Sequence, residues 1–464
     1  MAHGLKPYPE YKRSRLRWLG TIPAHWEEKR AKYFFREVDE RSPTGAEEIL
    51  SVSHVTGVTP RSQKNVTMFM AESYAGHKLC RPGDLVINTM WAWMAALGVA
   101  KQTGIVSPSY GVYRPLDGDA LVPEYADAML RTKPYESEYI CRSTGIRGSR
   151  LRLYPDKFLD LPIACPPHEE QRQIVAFLSS KDRDVRPFIR HKRRLIELLN
   201  EQKQAIIHRA VTCGVNSGVP LMPSGVDWLG EVPAHWKAWR LKFAVKIIYG
   251  SSPHESTYNT DGQGTVLING PDEYSVEDFG ETRSIKWTTA PVRFAPKGSL
   301  LFCLRGSTTG RLNVCHADVS IGRGVAALVP AGDEAFFRYA MMDLRQQVRA
   351  SFRGSTFPSI TSQQLDNYRF PNPPRDEQEE IAHHIARQTE GLDSAIGRAY
   401  REIDLIREYR TRLITDIVTG KLDVRHAATS AGLVADDLEL LEAEPEPEGA
   451  EELAAAEEVA IGDD

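Results

Sequence analysis

Apolar residues follow two different rhythms along this chain, and the change from one to the other happens twice. From Trp18 to Cys165 they come in short β-type runs broken by turn residues. Examples are Glu48-Ile49-Leu50-Ser51-Val52-Ser53, Asp84-Leu85-Val86-Ile87 after the Pro82-Gly83 turn, and Tyr110-Gly111-Val112-Tyr113. A helical segment is predicted near Pro123 to Arg131, so the stretch reads as a mixed α/β domain with a substantial curved sheet. From His168 to Thr212 there is no Gly and a single Pro, and apolar residues recur every seven. Leu178, Val185, Lys192, Leu199 and Ile206 fall seven apart, with Ile174, Phe188 and Leu195 on the adjoining seam. A second stretch repeats this with Ile385, Leu392, Ala399, Ile406 and Leu413, preceded by Ile381. A helix of about 45 residues runs roughly 65 Å and cannot bury such a stripe alone. The two are therefore predicted to pair as an antiparallel coiled coil, with a kink or short break at Pro187.

The rhythm repeats because the chain does. Trp18-Leu19-Gly20-Thr21-Ile22-Pro23-Ala24-His25-Trp26 returns as Trp228-Leu229-Gly230-Glu231-Val232-Pro233-Ala234-His235-Trp236, and these two phrases hold four of the eight tryptophans. Downstream, Pro166-Pro167-His168-Glu169-Glu170-Gln171 with Ile174 answers Pro373-Pro374-Arg375-Asp376-Glu377-Gln378 with Ile381. Val211-Thr212 near Gly214 answers Val418-Thr419-Gly420. A period near 210 is far beyond that of solenoids or propellers, so a whole domain-plus-helix unit is duplicated and pseudo-twofold symmetry is expected. The division is a loosely attached basic segment (1–17), a first domain (18–165), a first helix (166–213) and a linker (214–227). A second domain (228–372), a second helix (373–425) and an acidic tail (426–464) complete it. The fold class is α/β (α+β), two tandem mixed domains each followed by a long helix.

Charge sharpens the picture. The net charge of −4 is made by the tail, which carries thirteen acidic residues and no Lys or Arg after Gly432; the rest holds 58 basic against 49 acidic. A basic body suits a polyanion, while the tail has too little apolar surface to fold. The six cysteines lack the paired spacing of zinc or disulfide frameworks and read as reduced thiols. No apolar run approaches the roughly 20 residues that cross a bilayer, and a cytoplasmic location is expected.

Catalytic motifs do not assemble. Asn372-Pro373-Pro374 has Arg375 where a base-stacking aromatic would be needed, and its counterpart reads Cys165-Pro166-Pro167. Asp272 followed by Glu281-Thr282-Arg283 lacks the lysine of a metal nuclease and has no partner in the first half. His25 and His235 each sit between Ala and Trp with no second ligand nearby, as core or capping histidines do. The arginines are more informative. Arg147-Gly148-Ser149-Arg150-Leu151-Arg152 is echoed by Arg353-Gly354-Ser355, and Arg305-Gly306-Ser307-Thr308-Thr309-Gly310-Arg311 sets two arginines around small hydroxyl residues. Arginine reads guanine edges bidentately, and hydroxyls hold phosphates. The DNA-contacting set is therefore Arg147, Arg150, Arg152, Arg305, Ser307, Arg311 and Arg353, with Asn88, Trp91 and Arg323 added.

The order of these motifs, twice over from residue 7 to 425, resembles the specificity subunit of type I restriction-modification enzymes. The resemblance implies a non-catalytic DNA reader in which each domain is a target-recognition domain for one half of a split sequence. It implies that the helices space the two and dock two modification subunits, which use S-adenosylmethionine to methylate adenine. Restriction subunits that use ATP and Mg would complete the enzyme, and this chain would bind no cofactor itself. The rival is a non-catalytic adaptor whose two domains bind proteins in place of DNA.

Overall fold

The computed structural model describes residues 5–63, 73–116, 120–145, 151–275, 279–306, 308–351 and 359–430. The chain divides into two compact units, Met1–His191 with Glu402–Asp464, and Lys192–Arg401. Each long helix is thereby shared between units. The arginine positions Arg147, Arg150 and Arg353, Ser307, and the acidic tail after Ser430 lie outside the described residues.

In the first unit the repeated phrase folds into a clasp. Strand Tyr11–Arg13 pairs antiparallel with Thr21–Pro23, and Ser14 N donates to Gly20 O at 3.0 Å to close the turn. The chain then runs as Glu27–Arg30 beside Pro162–Cys165, which leads directly into the first long helix, His168–Cys213. Glu170 lies in that helix's first turn, where the helix dipole favours a carboxylate. It is 5% exposed and accepts from Tyr8 Oη at 2.7 Å and Trp26 Nε1 at 2.9 Å, with His25 Nε2 at 2.7 Å. Gln171 beside it accepts from Val122 N at 2.8 Å and donates to Pro166 O at 3.0 Å, fixing the turn before the helix. The end of the second long helix, Arg375–Val418, meets the same clasp. Gly420 has φ +77°, and a Cβ there would lie 2.3 Å from Pro23 Cδ and 3.1 Å from the Trp26 ring. Only glycine satisfies both the left-handed backbone and that approach.

The rest of the first unit is a four-stranded antiparallel sheet, ordered Phe35–Glu37, Gly111–Pro115, Leu85–Ile87, Leu97–Val99. Two short antiparallel pairs, Leu50–Ser53 with Gly57–Pro60 and Lys78–Cys80 with Gly104–Val106, are separate from it, in place of one large sheet. Helices Pro123–Leu130, Lys133–Arg142 and Pro155–Leu159 begin with proline in the first turn, where its missing N–H costs nothing. Trp26, Tyr125, Ile174, Leu178, Leu413 and Ile417 belong to a single core. The start of one long helix and the end of the other are therefore part of the domain. Asp182, buried on the first helix, accepts from Arg410 Nε of the second at 2.6 Å and pairs also with Arg186.

The second unit has the same frame. Strand Leu221–Pro223 pairs with Glu231–Pro233, Lys237–Arg240 pairs with Arg369–Asn372, and His235 Nε2 and Trp236 Nε1 reach Glu377 at 2.6 Å and 2.8 Å. Gly214, φ +72°, would place a Cβ 3.2 Å from the Trp236 ring. A four-stranded sheet ordered Val245–Tyr249, Val325–Pro330, Leu300–Cys303, Leu312–Val314 reproduces the order of the first unit, and a five-stranded sheet is added. His208, on the end of the first long helix, bonds the buried Asp343 at 2.9 Å, which raises the imidazole pKa above its ordinary 6.5. Lys203 and Asp393 link the two long helices at 2.5 Å.

Several sequence expectations change. The segment before Trp18 is packed down, with Tyr8 and Leu16 buried, because Tyr8 supplies a donor to Glu170. The linker 214–227 contains the clasp strand Leu221–Pro223. The first long helix is continuous through Pro187; one intrahelical bond is lost, and the buried Val185 and Ile189 on either side hold the backbone in place. The seam also drifts. Ile174, Leu178, Val185, Ile381, Ile385, Ala399 and Leu413 are buried, but Leu195 is 42% exposed while Ile196 is 5% exposed. Leu199, Ile206, Leu392 and Ile406 are half-buried, and Ile207 and Ile403 are buried in their vicinity. Ile189, Ile196 and Ile207 span 18 residues in steps of 7 and 11, which is five turns at 3.6 residues per turn. Counting by sevens alone rotates the stripe by about 20° per heptad.

Two outcomes follow. Replacing Glu170 by Ala strands the Trp26 indole and Tyr8 hydroxyl without an acceptor, at about 1–3 kcal/mol each. Urea unfolding is expected to show a larger loss than for Glu377→Ala, since the Glu377 side chain is 34% exposed. Ile196→Asp is expected to lower the thermal midpoint sharply while Leu195→Asp leaves it nearly unchanged; equal effects would place the seam on Leu195 after all.

Candidate nucleic-acid interface

The two four-stranded sheets carry a hairpin at the same place, and there the units stop resembling one another. In the first unit, residues 88–96 connect Leu85–Ile87 to Leu97–Val99. Asn88 is 1% exposed, donates Nδ2 to Tyr110 Oη at 3.0 Å, and its backbone N bonds Ala96 O at 3.0 Å. Trp91 is 7% exposed. Neither presents its side chain to solvent; both hold the hairpin in shape. In the second unit, residues 304–311 connect Leu300–Cys303 to Leu312–Val314 through a tight turn, with Gly310 N on Cys303 O at 2.8 Å and Thr309 N on Gly306 O at 3.0 Å. Arg305 is exposed. Arg311 is partly spent on the fold, its Nη2 donating to Ser275 O at 2.6 Å.

Long-range backbone bonds tie described residues near the other arginine positions in sequence to the same hairpins. Leu153 N donates to Thr89 O at 2.9 Å, and Thr144 and Arg152 exchange backbone bonds at 3.0 Å and 2.9 Å. These are the two flanks of the segment that holds Arg147 and Arg150. In the second unit Ile360 N donates to Leu304 O at 2.8 Å, and Arg305 bridges Ser359. Those residues close the segment that holds Arg353. Leu304 N also reaches Gly324 O at 2.8 Å, which brings in the exposed Arg323, whose own N donates to Ser252 Oγ at 3.1 Å. Neither Arg305 nor Arg323 has a carboxylate partner among the described residues. Arg114, by contrast, is pinned between Asp84 at 3.0 Å and Glu40 at 2.6 Å inside the sheet. The anchoring pair Leu153 and Ile360 escaped the sequence reading. The shift of 207 that carries Pro166 onto Pro373 carries Leu153 onto Ile360 as well, and was the signal for it.

Residues 245–394 match the family model for the type I restriction modification DNA specificity domain. The second unit carries such a specificity domain. Its matched span takes in the hairpin, Arg323, the Arg353 segment and the Pro-Pro start of the second long helix. The resemblance drawn from the repeated motifs is thereby borne out. The chain is 28% identical over 276 residues to the putative type I restriction enzyme MjaX specificity subunit of Methanocaldococcus jannaschii, spanning 58% of this chain and 60% of that protein. It is 25% identical over 293 residues to the type I restriction enzyme MjaVIII specificity subunit of the same organism, over 58% and 64%. The matched region is thus less than two thirds of either curated relative. A solved structure described as the structural basis of complex assembly and conformational transition of the type I R-M system superimposes with a TM-score of 0.58 at 21% identity. It covers 86% of this chain and 99% of that one, so the architecture is shared.

Other motifs resolve as parts of the specificity domain's framework. Pro373 O accepts from Gln378 Nε2 at 3.0 Å, making Asn372-Pro373-Pro374 a rigid start to the helix. Asp272 and Arg283 meet through a backbone carbonyl at 2.7 Å, beside the buried Glu273, which pairs with Lys286 at 3.0 Å. Among the described residues no group of three or more His, Cys, Asp or Glu could hold a metal ion. All six cysteines are free, and burial pushes the Cys80 and Cys315 thiols up to about 12. No helix among the described residues is long and apolar enough to cross a membrane.

Arg305→Ala is expected to weaken DNA binding by about 1–3 kcal/mol on targets that keep the second unit's half-site, with thermal stability unchanged. Trp91→Ala is expected to do the reverse for the first unit, lowering its unfolding midpoint before any sequence preference changes. Titrations against both half-site variants, alongside calorimetry, separate the two.

Proposed function

We propose that this chain is the DNA-reading subunit of a type I restriction-modification complex, each unit reading one block of a bipartite target. The observation that carries this reading is the pair of sheet-end hairpins, each tied by a backbone bond, from Leu153 in one unit and Ile360 in the other, and each built differently on the same frame. A family specificity domain spans one of them. Surfaces that diverge on a shared frame are what two different half-sites require. In this reading the chain is non-catalytic and binds no cofactor. Two modification subunits bring S-adenosylmethionine and methylate adenine, restriction subunits bring ATP and Mg, and the assembly works in the cytoplasm.

Two unlike reading ends call for two unlike short blocks with an unread spacer, their centres about one helical turn apart, on the order of 10 base pairs. Single-molecule sequencing of DNA from cells expressing the chain with its modification subunit is expected to show methyladenine in both blocks. Exchanging residues 304–311 for another sequence is expected to change one block and leave the other. One uninterrupted methylated motif would falsify the reading. Binding to duplex DNA that does not weaken steeply with salt would favour the adaptor reading instead.

A further inference from the structure

The register of the two four-stranded sheets can be carried past their paired ends, and it picks out one position in each unit. In the first unit Ile87 pairs with Gly111, so two residues further on Thr89 stands across from Ser109, and Thr89 Oγ1 donates to Ser109 O at 2.8 Å. In the second unit Cys303 pairs with Val325, so two residues further on Arg305 stands across from Arg323. Thr89 is buried and spent on closing its hairpin, whereas both arginines are exposed. The same position is thus closed by a hydroxyl in one unit and carries two guanidiniums in the other.

Arg323 is also held in place from behind. The parallel pairing of Leu267 with Ser320 and Ile268 with Ile321 brings Asn269 beside Gly322, and Gly322 N donates to Ile268 O at 2.9 Å. Ser252 Oγ accepts from Arg323 N at 3.1 Å, which leaves its own proton for Asn269 Oδ1, also 3.1 Å away. A Cβ on Gly322 would lie 1.9 Å from that same Oδ1, and one on Gly250 would lie 2.1 Å from Gly322 O. The two glycines are therefore what lets three loops close around this relay. Asn269 is half-buried, and with its Oδ1 turned to Ser252 it is left with Nδ2, for which the described residues supply no acceptor.

What this place offers is donors. Adenine is read by an amide that donates and accepts at once, across N6 and N7, and Asn269 has its oxygen engaged by Ser252. Cytosine presents a donor in the major groove and thymine a single acceptor, whereas guanine presents two acceptors, O6 and N7, matched to a guanidinium fork. We infer that Arg305 and Arg323 are a guanine-reading pair peculiar to the second unit, and that Ser252 and Asn269 are positioning residues that fix the backbone from which Arg323 reads. The block of the target read by this unit then contains guanine, selected at a position where the first unit holds Thr89 and Ser109. The inference rests on the reading of the chain as a DNA-reading specificity subunit, and adds which base one unit selects and what holds the reader.

The test maps methylated motifs by single-molecule sequencing in cells that express the full chain with its modification subunit. Arg305→Ala and Arg323→Ala are each expected to relax a guanine in one block, the same block for both, and to leave the other block untouched. Discrimination at that guanine is expected to fall on the order of tenfold or more, the usual worth of a bidentate pair. Arg323→Lys is expected to relax it as well, since an ammonium keeps the charge but loses the fork; this variant carries the test if the alanine change does not fold. Ser252→Ala and Asn269→Ala are expected to relax the same guanine as Arg323→Ala, and Ser252→Thr, which keeps the hydroxyl, to retain it. A relaxed position that is not guanine, or wild-type motifs kept in both alanine variants, would overturn the site and leave the specificity reading intact. So would a lysine variant that reads like the wild type while the alanine variants weaken on every sequence alike, which marks phosphate contacts. Guanine lost in Arg323→Ala but kept in Ser252→Ala and Asn269→Ala would overturn the positioning roles. A wild type that directs methylation to no two-block motif would overturn both the inference and the reading beneath it.

Discussion

The buried Glu170 carboxylate is the joint on which the first unit turns. A carboxylate out of water is costly unless it is met by donors, and here an indole, a phenol and an imidazole meet it from the segment before and within the repeated phrase. The same tryptophan packs against the glycine that ends the other long helix. The duplicated motifs therefore make one interaction: His-Trp supplies donors, Glu-Gln the acceptor and the helix start, Val-Thr-Gly the close approach. In the second unit the joint is lighter. Gly218 stands where Tyr8 would, and among the described residues Glu377 meets the histidine and the tryptophan.

From that joint the division of labour follows. Each long helix enters a domain core at its ends, through Ile174, Leu178 and Leu413 in the first unit and Ile207, Ala210 and Ile385 in the second. Asp182 with Arg410 keys the two long helices in register, and His208 with Asp343 ties the first long helix to the helix Glu334–Ser351 of the second unit. Such pairs add little net stability, but a shifted register would leave a buried carboxylate unmet. The helices and clasps are thus fixed by packing on several sides, which leaves little room for change.

The sheet ends are under no such constraint. Both four-stranded sheets keep one strand order, yet one hairpin is closed by a buried asparagine and tryptophan and the other by glycines and threonine. A loop held at its base by backbone bonds can exchange its side chains without disturbing the core beneath it. That is the property a family of readers with different targets needs.

By itself the sequence determined the duplication, the mixed α/β class, the two long helices, and segments such as Pro123–Leu130 and Leu85–Ile87, because periodicity and rare residues are local signals. The role of His25 and His235 was legible only in kind. That Glu170 and Glu377 receive them depends on contacts across 145 and 142 residues. The seam was legible to within one residue, since a seven-residue count cannot see the slow rotation of a 3.6-residue helix, and Leu195 therefore stood in for Ile196. At the hairpins the sequence marked the arginines without distinguishing an exposed one, Arg305, from one tied to a carbonyl, Arg311. Asn88 and Trp91 carry the right chemistry for DNA and were buried by the fold. Only tertiary structure decided these, because exposure is set by what the rest of the chain lays over a side chain, and no local pattern encodes that.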